Sequence, residues 1–332
     1  MIEASFWASL RREEGFIPKI SLAYLPPIKG DRALLLEEPL PLAPEPLARL
    51  GPAVEQPGIH LGVWGTAEDL RVWGTTRTLP GSCFTVEVIA PGLLVVKESR
   101  DEDRGKYRNI AVLEGERLKV LDQAIARTPD CPGVLASLLG LNPTRPAGDV
   151  DVLIQLAIAM RAHGRGGALL VVPAEHSAWR ESVIQPIGYA VTPPFRELTG
   201  VVEQPSERRR DRRWKEDLHG SVETIARLTA VDGAAIMTER YEVLAFGAKI
   251  GRRDGRSRVE QVLTTEPVQG ARGEIVHPSQ LGGTRHLSAA QFAMDQHDAL
   301  ALVASQDGRF TLFAWSSSVE MVQGHRVEAL LL

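Results

Sequence analysis

Residues 168–172 read ALLVV, an unbroken apolar run between the glycines of HGRGG and Pro173. Such a run is far below the ~20 residues of a membrane span, and it reads as a buried strand. Before it, DVDVLIQLAIAMRA places Leu153, Ile154, Leu156, Ala157 and Met160 on one helical face, and the HGRGG stretch ends that helix. The unit recurs. SVETIARLTAVDGAAIMT puts Val222, Ile225, Ala226 and Leu228 on a helix face ahead of an apolar strand, and YEVLAFGAKI follows as its strand partner across a charged turn. LSAAQFAMDQHDALALVASQDGRFTLFAW reads as a helix, a strand at 299–304, a tight Gln-Asp-Gly turn and a strand at 309–315. Helices alternating with apolar strands predict an α/β domain over residues 150–325, with a central mixed sheet flanked by helices.

Residues 1–145 have a different habit, that of a strand-rich α+β domain. FWASLRREEG suggests a short opening helix and PKISLAYL a strand leaving it. IHLGVWGTAEDLRVWGTT repeats Val-Trp-Gly at Val63–Gly65 and Val72–Gly74 around a polar turn, which predicts a β-hairpin with its tryptophans placed for packing. FTVEVIAPGLLVVKES and RNIAVLEGERLKVLD continue the β-rich pattern. GLNPTRPAGDV at 140–150, with two prolines and two glycines, reads as a connector. A length of 332 residues suits two domains, each able to bury a core.

Composition narrows the function. Net charge is −4, so no global pull toward nucleic acid or a membrane surface is expected. The two cysteines, Cys83 and Cys131, form no CxxC and no zinc spacing with histidine. MIEASFWASLRREEGF sets charges where a signal peptide needs an apolar core, which predicts a cytoplasmic protein. SERRRDRRWKED at 206–217 and GRRDGRSR at 251–258 read as solvated loops that could recruit phosphate if they border a pocket.

Three short stretches carry the chemistry: VDGA at 231–234, GGTRH at 282–286 and ASQDG at 304–308. Asp232 before a glycine can set a carboxylate beside backbone that approaches a ligand closely, suiting a divalent metal or a ribose hydroxyl. Gly283 and Thr284 at a helix start offer amide and hydroxyl donors to phosphate. Arg285 can fork onto phosphate oxygens, His286 can add a donor, and Ser305 ends a strand with a hydroxyl. No GxxxxGK[ST], GxSxG or HExxH is present, nor a GxGxxG after a strand. The set spells nucleotide binding, with nucleotidyl transfer as a possible extension. Asp232 as the cap of a simple turn and Arg285-His286 as an exposed pair are the plain alternatives.

In order and spacing the C-terminal half resembles the diadenylate cyclase (DAC) domain family, whose hallmarks are DGA, then GTRHR, then a serine at a strand end. Asp232-Gly233-Ala234 and Gly283-Thr284-Arg285-His286 match; GRGGALLVVP is similar to the family's early strand, and DALALVASQDGRFTLF to its closing hairpin. The N-terminal half, with SLRREEG and its repeated VWG, resembles the divergent DACNV branch proposed as nucleotide sensors. The resemblance implies an α/β sheet, face-to-face homodimers or higher oligomers, and two ATP joined into cyclic di-AMP with Mg²⁺ or Mn²⁺. By the same resemblance Asp232 serves the metal and the attacking hydroxyl, and Gly233 and Ala234 lie near the nucleotide. The phosphates fall to Gly283, Thr284, Arg285, His286 and Ser305.

Two departures stand out. Leu287 replaces the second arginine of RHR, and Ser305-Gln306-Asp307-Gly308 replaces SEETG. A charge-assisted hydrogen bond contributes roughly 1.5–3 kcal/mol, so the missing guanidinium weakens phosphate binding, and more so in a transition state. The sequence therefore favours a sensor that binds ATP or a cyclic dinucleotide with weak or no turnover. An active diadenylate cyclase and an interaction scaffold with a decayed site are the alternatives.

Overall fold

A computed structural model of the chain describes residues 1–13, 15–27, 33–99, 107–128, 130–139, 151–205 and 207–332. They form two units, the first from residues 1–122 with Leu332 and the second from residues 123–139 and 151–331. The connector expected at 140–150 lies outside the described residues.

The first unit runs α1 (Ile2–Ser9), β1 (Ser21–Tyr24), β2 (Ala33–Pro41), α2 (Pro44–Leu50), β3 (His60–Gly65), β4 (Leu70–Thr76), β5 (Phe84–Ala90), β6 (Leu93–Ser99), β7 (Tyr107–Glu114) and β8 (Arg117–Val120). Its strands make a mixed sheet in the order β2-β4-β3-β1-β5-β6-β7-β8, with β1 and β3 parallel. Helix α1 ends at Ser9, ahead of Leu10 and the charged pair Arg11-Arg12. Ser9 fixes that end: its hydroxyl donates to the Phe6 carbonyl at 2.6 Å and accepts from the Gly92 amide at 3.0 Å.

The Val-Trp-Gly repeat is an antiparallel hairpin with Val63 opposite Val72. One tryptophan packs as expected. Trp73 is buried, donates to the Leu25 carbonyl at 2.9 Å, and lies over Gly62, where any Cβ would meet its ring. Trp64 is 43% exposed, because neighbours along a strand face opposite ways and Val63 takes the core side. Strand β2 gave no clear signal: its ALLLEEPLP holds two prolines and sits at the sheet edge, where missing donors are tolerated.

The second unit runs α3 (Gly133–Leu138), α4 (Val152–Ala162), β9 (Gly167–Val172), β10 (Tyr189–Phe195), α5 (Glu197–Val202), α6 (Arg212–Thr229), β11 (Ala234–Thr238), β12 (Val243–Ala248), β13 (Val262–Thr265), β14 (Glu274–Val276), α7 (Thr284–Asp295), β15 (Leu300–Ala304), β16 (Phe310–Ser316) and β17 (Met321–Arg326). The sheet order is β10-β12-β11-β9-β15-β16-β17-β13-β14. Pairs β9/β11 and β13/β17 are parallel and the others antiparallel, so the sheet is mixed, as the sequence predicts.

ALLVV is buried at every residue of β9, because both faces of the sheet are covered. Ala168, Leu170 and Val172 pack with Ala289, Ala290, Phe292 and Ala293 of α7. Leu169 and Val171 alternate to the opposite face, and α4 and α6 pack on the same central strands. Asp151 caps α4, accepting from the Leu153 and Ile154 amides at 3.1 and 3.4 Å.

Helix α6 corrects one expectation. The arginine-rich stretch at 206–217 is not all loop: from Arg212 onward it forms the first turns of α6. Trp214, Leu218, Ser221, Val222, Ile225, Ala226 and Thr229 make its buried stripe, and Trp214 donates to the Val201 carbonyl at 2.8 Å. One buried tryptophan among the charges extends the apolar period by two turns.

Candidate functional site

The ends of β9, β11, β12 and β15 and the start of α7 surround a cavity of about 650 Å³. Asp232, Gly233, Ala234, Gly283, Thr284, Arg285, His286 and Ser305 all line it, so the three motif stretches converge on one place. Ala168, Ala234, Ala248 and Ala304 give it small apolar walls, with Ile184 and Ile250 beside them. Lys249, Ser288 and Gln306 complete its polar side.

The turn from α6 into β11 carries Asp232 and Gly233. Gly233 has φ +122°, and a Cβ there would stand 2.7 Å from the Gly247 carbonyl oxygen and 2.8 Å from that of Ala248. Only glycine allows β11 to start this close to β12. The register that pairs Ala234 with Ala248 also brings Lys249 to Asp232, and Lys249 Nζ lies 2.6 Å from Asp232 Oδ2. The hydrogen bond from Lys249 and then its charge, with a smaller contribution from Arg285, hold the Asp232 carboxyl below the usual carboxylate range.

Sequence reasoning missed Lys249. The signal was present: in the hairpin formed by DGAAIMT and YEVLAFGAKI, a lysine directly after Ala248 falls beside the residues before Ala234.

Helix α7 begins at Thr284 after Gly283, and among the described residues no side chain caps it. Its first amides are therefore open to an anion, as helix N-termini with free N–H groups are. Arg285 lies over β9's entry: its Nη1 is 3.0 Å from where a Gly166 Cβ would be. Gly166, at φ +69°, leaves the room that the guanidinium occupies. Among the described residues Arg285 pairs with no carboxylate, so its fork is free for a ligand.

His286 is buried, at 2% exposure, edge-on to Phe313 with ring centroids 6.1 Å apart. Gly282 makes space for the ring, since a Cβ there would collide with it. Burial pushes its pKa down, so the imidazole is neutral near pH 7. Among the described residues its Nε2 has no hydrogen-bond partner, an uncommon state for a buried polar atom that a ligand group could relieve.

Ser305 follows β15, its amide donating to the Arg309 carbonyl at 2.9 Å. Asp307 is raised by burial, but the Ser305 hydroxyl, the Arg309 amide and the Arg309 charge outweigh that and leave it lowered. The SQDG turn thus keeps an ionised carboxylate bonded to Ser305.

Leu287, in place of an arginine, is half-buried and packs on the core cluster that includes Phe292 and Phe313. It supplies packing to α7 and no donor to the cavity.

The donor set does not fit a divalent ion held by the protein. Among the described residues Asp232 is the one carboxylate lining the cavity, and Lys249 pairs with it. No three His, Cys, Asp or Glu side chains among the described residues gather into a metal site made of protein ligands alone.

No curated protein matches the chain. A crystal structure of a hypothetical membrane-spanning protein from Bacillus cereus is similar at 15% identity, over 48% of this chain and 57% of that chain. Its TM-score of 0.29 is too low to carry an argument. Among the described residues no helix is long and apolar enough to cross a membrane. Residues 1–77 match the family model described as probable sensor domain DACNV, a match that supports a sensor role for this chain.

Proposed function

We propose that this chain is a sensor whose second unit binds an adenine nucleotide or a cyclic dinucleotide, with slow or no turnover. The observation that carries this reading is the convergence of VDGA, GGTRH and the strand-end serine on one cavity. A volume of about 650 Å³ suits a nucleotide-sized ligand, within the roughly 300–1,000 Å³ of small-molecule pockets. Small apolar walls suit a flat heterocycle, while the uncapped start of α7 and the free Arg285 suit its phosphates.

Two features favour sensing over fast synthesis. Leu287 is spent on packing, so the second guanidinium of the resembled motif has no counterpart at that position. Asp232 is paired with Lys249 in the empty cavity, so a metal would have to compete with an ammonium for that carboxylate. Head-to-head pairing of two chains, which joining two ATP requires, belongs to the enzyme reading.

Thermal-shift measurements with ATP, cyclic di-AMP and other dinucleotides test the binding, and chromatography of ATP incubated with Mn²⁺ tests the chemistry. The expected result is a raised melting temperature with at least one adenine ligand and little or no cyclic di-AMP formed. No shift with any of them contradicts nucleotide sensing. Cyclic di-AMP formed at about 1 s⁻¹ or faster, an ordinary enzyme rate, makes the protein a diadenylate cyclase instead.

A further inference from the structure

The mouth of the cavity is cationic by its own residues. Lys249 and Arg285 both line it and Asp232 is its single carboxylate among the described residues, so those side chains sum to one positive charge. The neutral His286 adds none, and the start of α7 adds the partial positive charge of its free amides.

A divalent ion approaching Asp232 meets an ammonium already 2.6 Å from that carboxylate, with a guanidinium nearby. Like charges repel, and a doubly charged ion is opposed more strongly than a singly charged one. A phosphate meets the reverse field. Asp232 is 92% and Lys249 52% exposed at the side chain, so Lys249 can turn from one to the other without unpacking anything.

We infer that Lys249 takes the place of a divalent cation at this site, so that anionic ligands bind without metal and Asp232 serves as the counter-ion that parks Lys249 while the cavity is empty. The inference rests on the nucleotide reading and specifies how that site holds its ligand. It also makes the site selective for ligands whose phosphates reach both Lys249 and Arg285.

Calorimetric titration of the full chain with cyclic di-AMP and with ATP, in EDTA and in Mg²⁺, tests it. The wild-type chain is expected to bind equally well in both buffers. Lys249→Met should lose about tenfold or more in affinity in EDTA, the size of one charge-assisted hydrogen bond, and Lys249→Arg should retain metal-free binding. Asp232→Asn, by removing the competitor for Lys249, should tighten binding in EDTA, whereas a carboxylate that held a metal would be needed for it. Wild-type binding that vanishes in EDTA and returns with Mg²⁺ overturns the inference and leaves the nucleotide reading intact.

If neither ligand binds in either buffer, the nucleotide reading fails, and Mn²⁺ alone decides the cation question. An electron paramagnetic resonance signal of free Mn²⁺ undiminished by equimolar wild-type chain supports it. Mn²⁺ uptake that Asp232→Asn abolishes overturns it.

Discussion

At the scale of single residues, the cavity depends on small side chains as much as on polar ones. Gly166 leaves space for Arg285, and Gly233 lets β11 start against Gly247 and Ala248. Gly233→Ala should cost roughly 1–3 kcal/mol, the range for a side chain forced into a sparsely populated backbone region, and denaturant titration would read it; an unchanged midpoint would contradict the close approach. Leu287→Arg tests the packing of α7 in the same way. With Leu287 on the core cluster, the substitution should destabilise by about 1–3 kcal/mol and leave product formation from ATP no faster. A chain of unchanged stability that gains turnover would show that the position still faces the ligand. The motif residues themselves were legible in the sequence, because Asp-Gly-Ala and Gly-Thr-Arg-His each join a chemical group to a backbone device. Lys249 belongs to no motif, and its place beside Asp232 could be read only by pairing the two strands of the hairpin, through the register of β11 with β12.

At the scale of elements, α7 does two jobs along one axis. Its first turn borders the cavity, and farther along Gln291 and Asp295 face the loop at 251–259. Gln291 accepts from the Val259 amide at 2.9 Å and donates to the Ser257 carbonyl at 3.1 Å; Asp295 accepts from the Arg253 amide at 2.9 Å and from Gln291 at 3.1 Å. The pair is nearly buried, at 7% and 2% exposure, so these bonds have little competition from water. Asp295→Ala leaves the Arg253 amide without its acceptor, takes one of two acceptors from Gln291, and should cost about 1–3 kcal/mol. Hydrogen exchange should show the Arg253 and Val259 amides losing protection, while retained protection would mean the loop holds itself. Sequence patterning reads GRRDGRSR correctly as a charged loop but cannot reveal this clamp, which joins side chains of a helix to backbone groups distant in the chain. Helix α6 shows the complementary failure: its charged start hid a helical period that only Trp214 marked.

At the scale of the whole molecule, the alternation of helix and apolar strand was enough to forecast the second unit's mixed sheet, because strands buried on both faces must be apolar throughout. The strands β10, β14 and β17 were harder: β10 carries two prolines, β14 has three residues, and β17 reads MVQGHR, with a buried histidine. Burial pushes that His325 down to about 4, with Thr265 Oγ1 2.8 Å from its Nδ1. Above about pH 6.5 both folded and unfolded states hold it neutral; as pH falls toward 4 only the unfolded state takes the proton, so stability declines across that window. The loss should approach about 3 kcal/mol, and His325→Asn should flatten the slope in denaturant midpoints measured from pH 7 to pH 4; an unchanged slope would place the buried proton acceptor elsewhere. The central claim concerns the cavity where the motifs meet, and calorimetry of wild-type chain against Arg285→Ala with ATP and cyclic di-AMP tests it most directly. The account predicts saturable binding of an adenine ligand that Arg285→Ala weakens by about 1.5–3 kcal/mol. Binding of equal strength in both chains, or none in either, would contradict it.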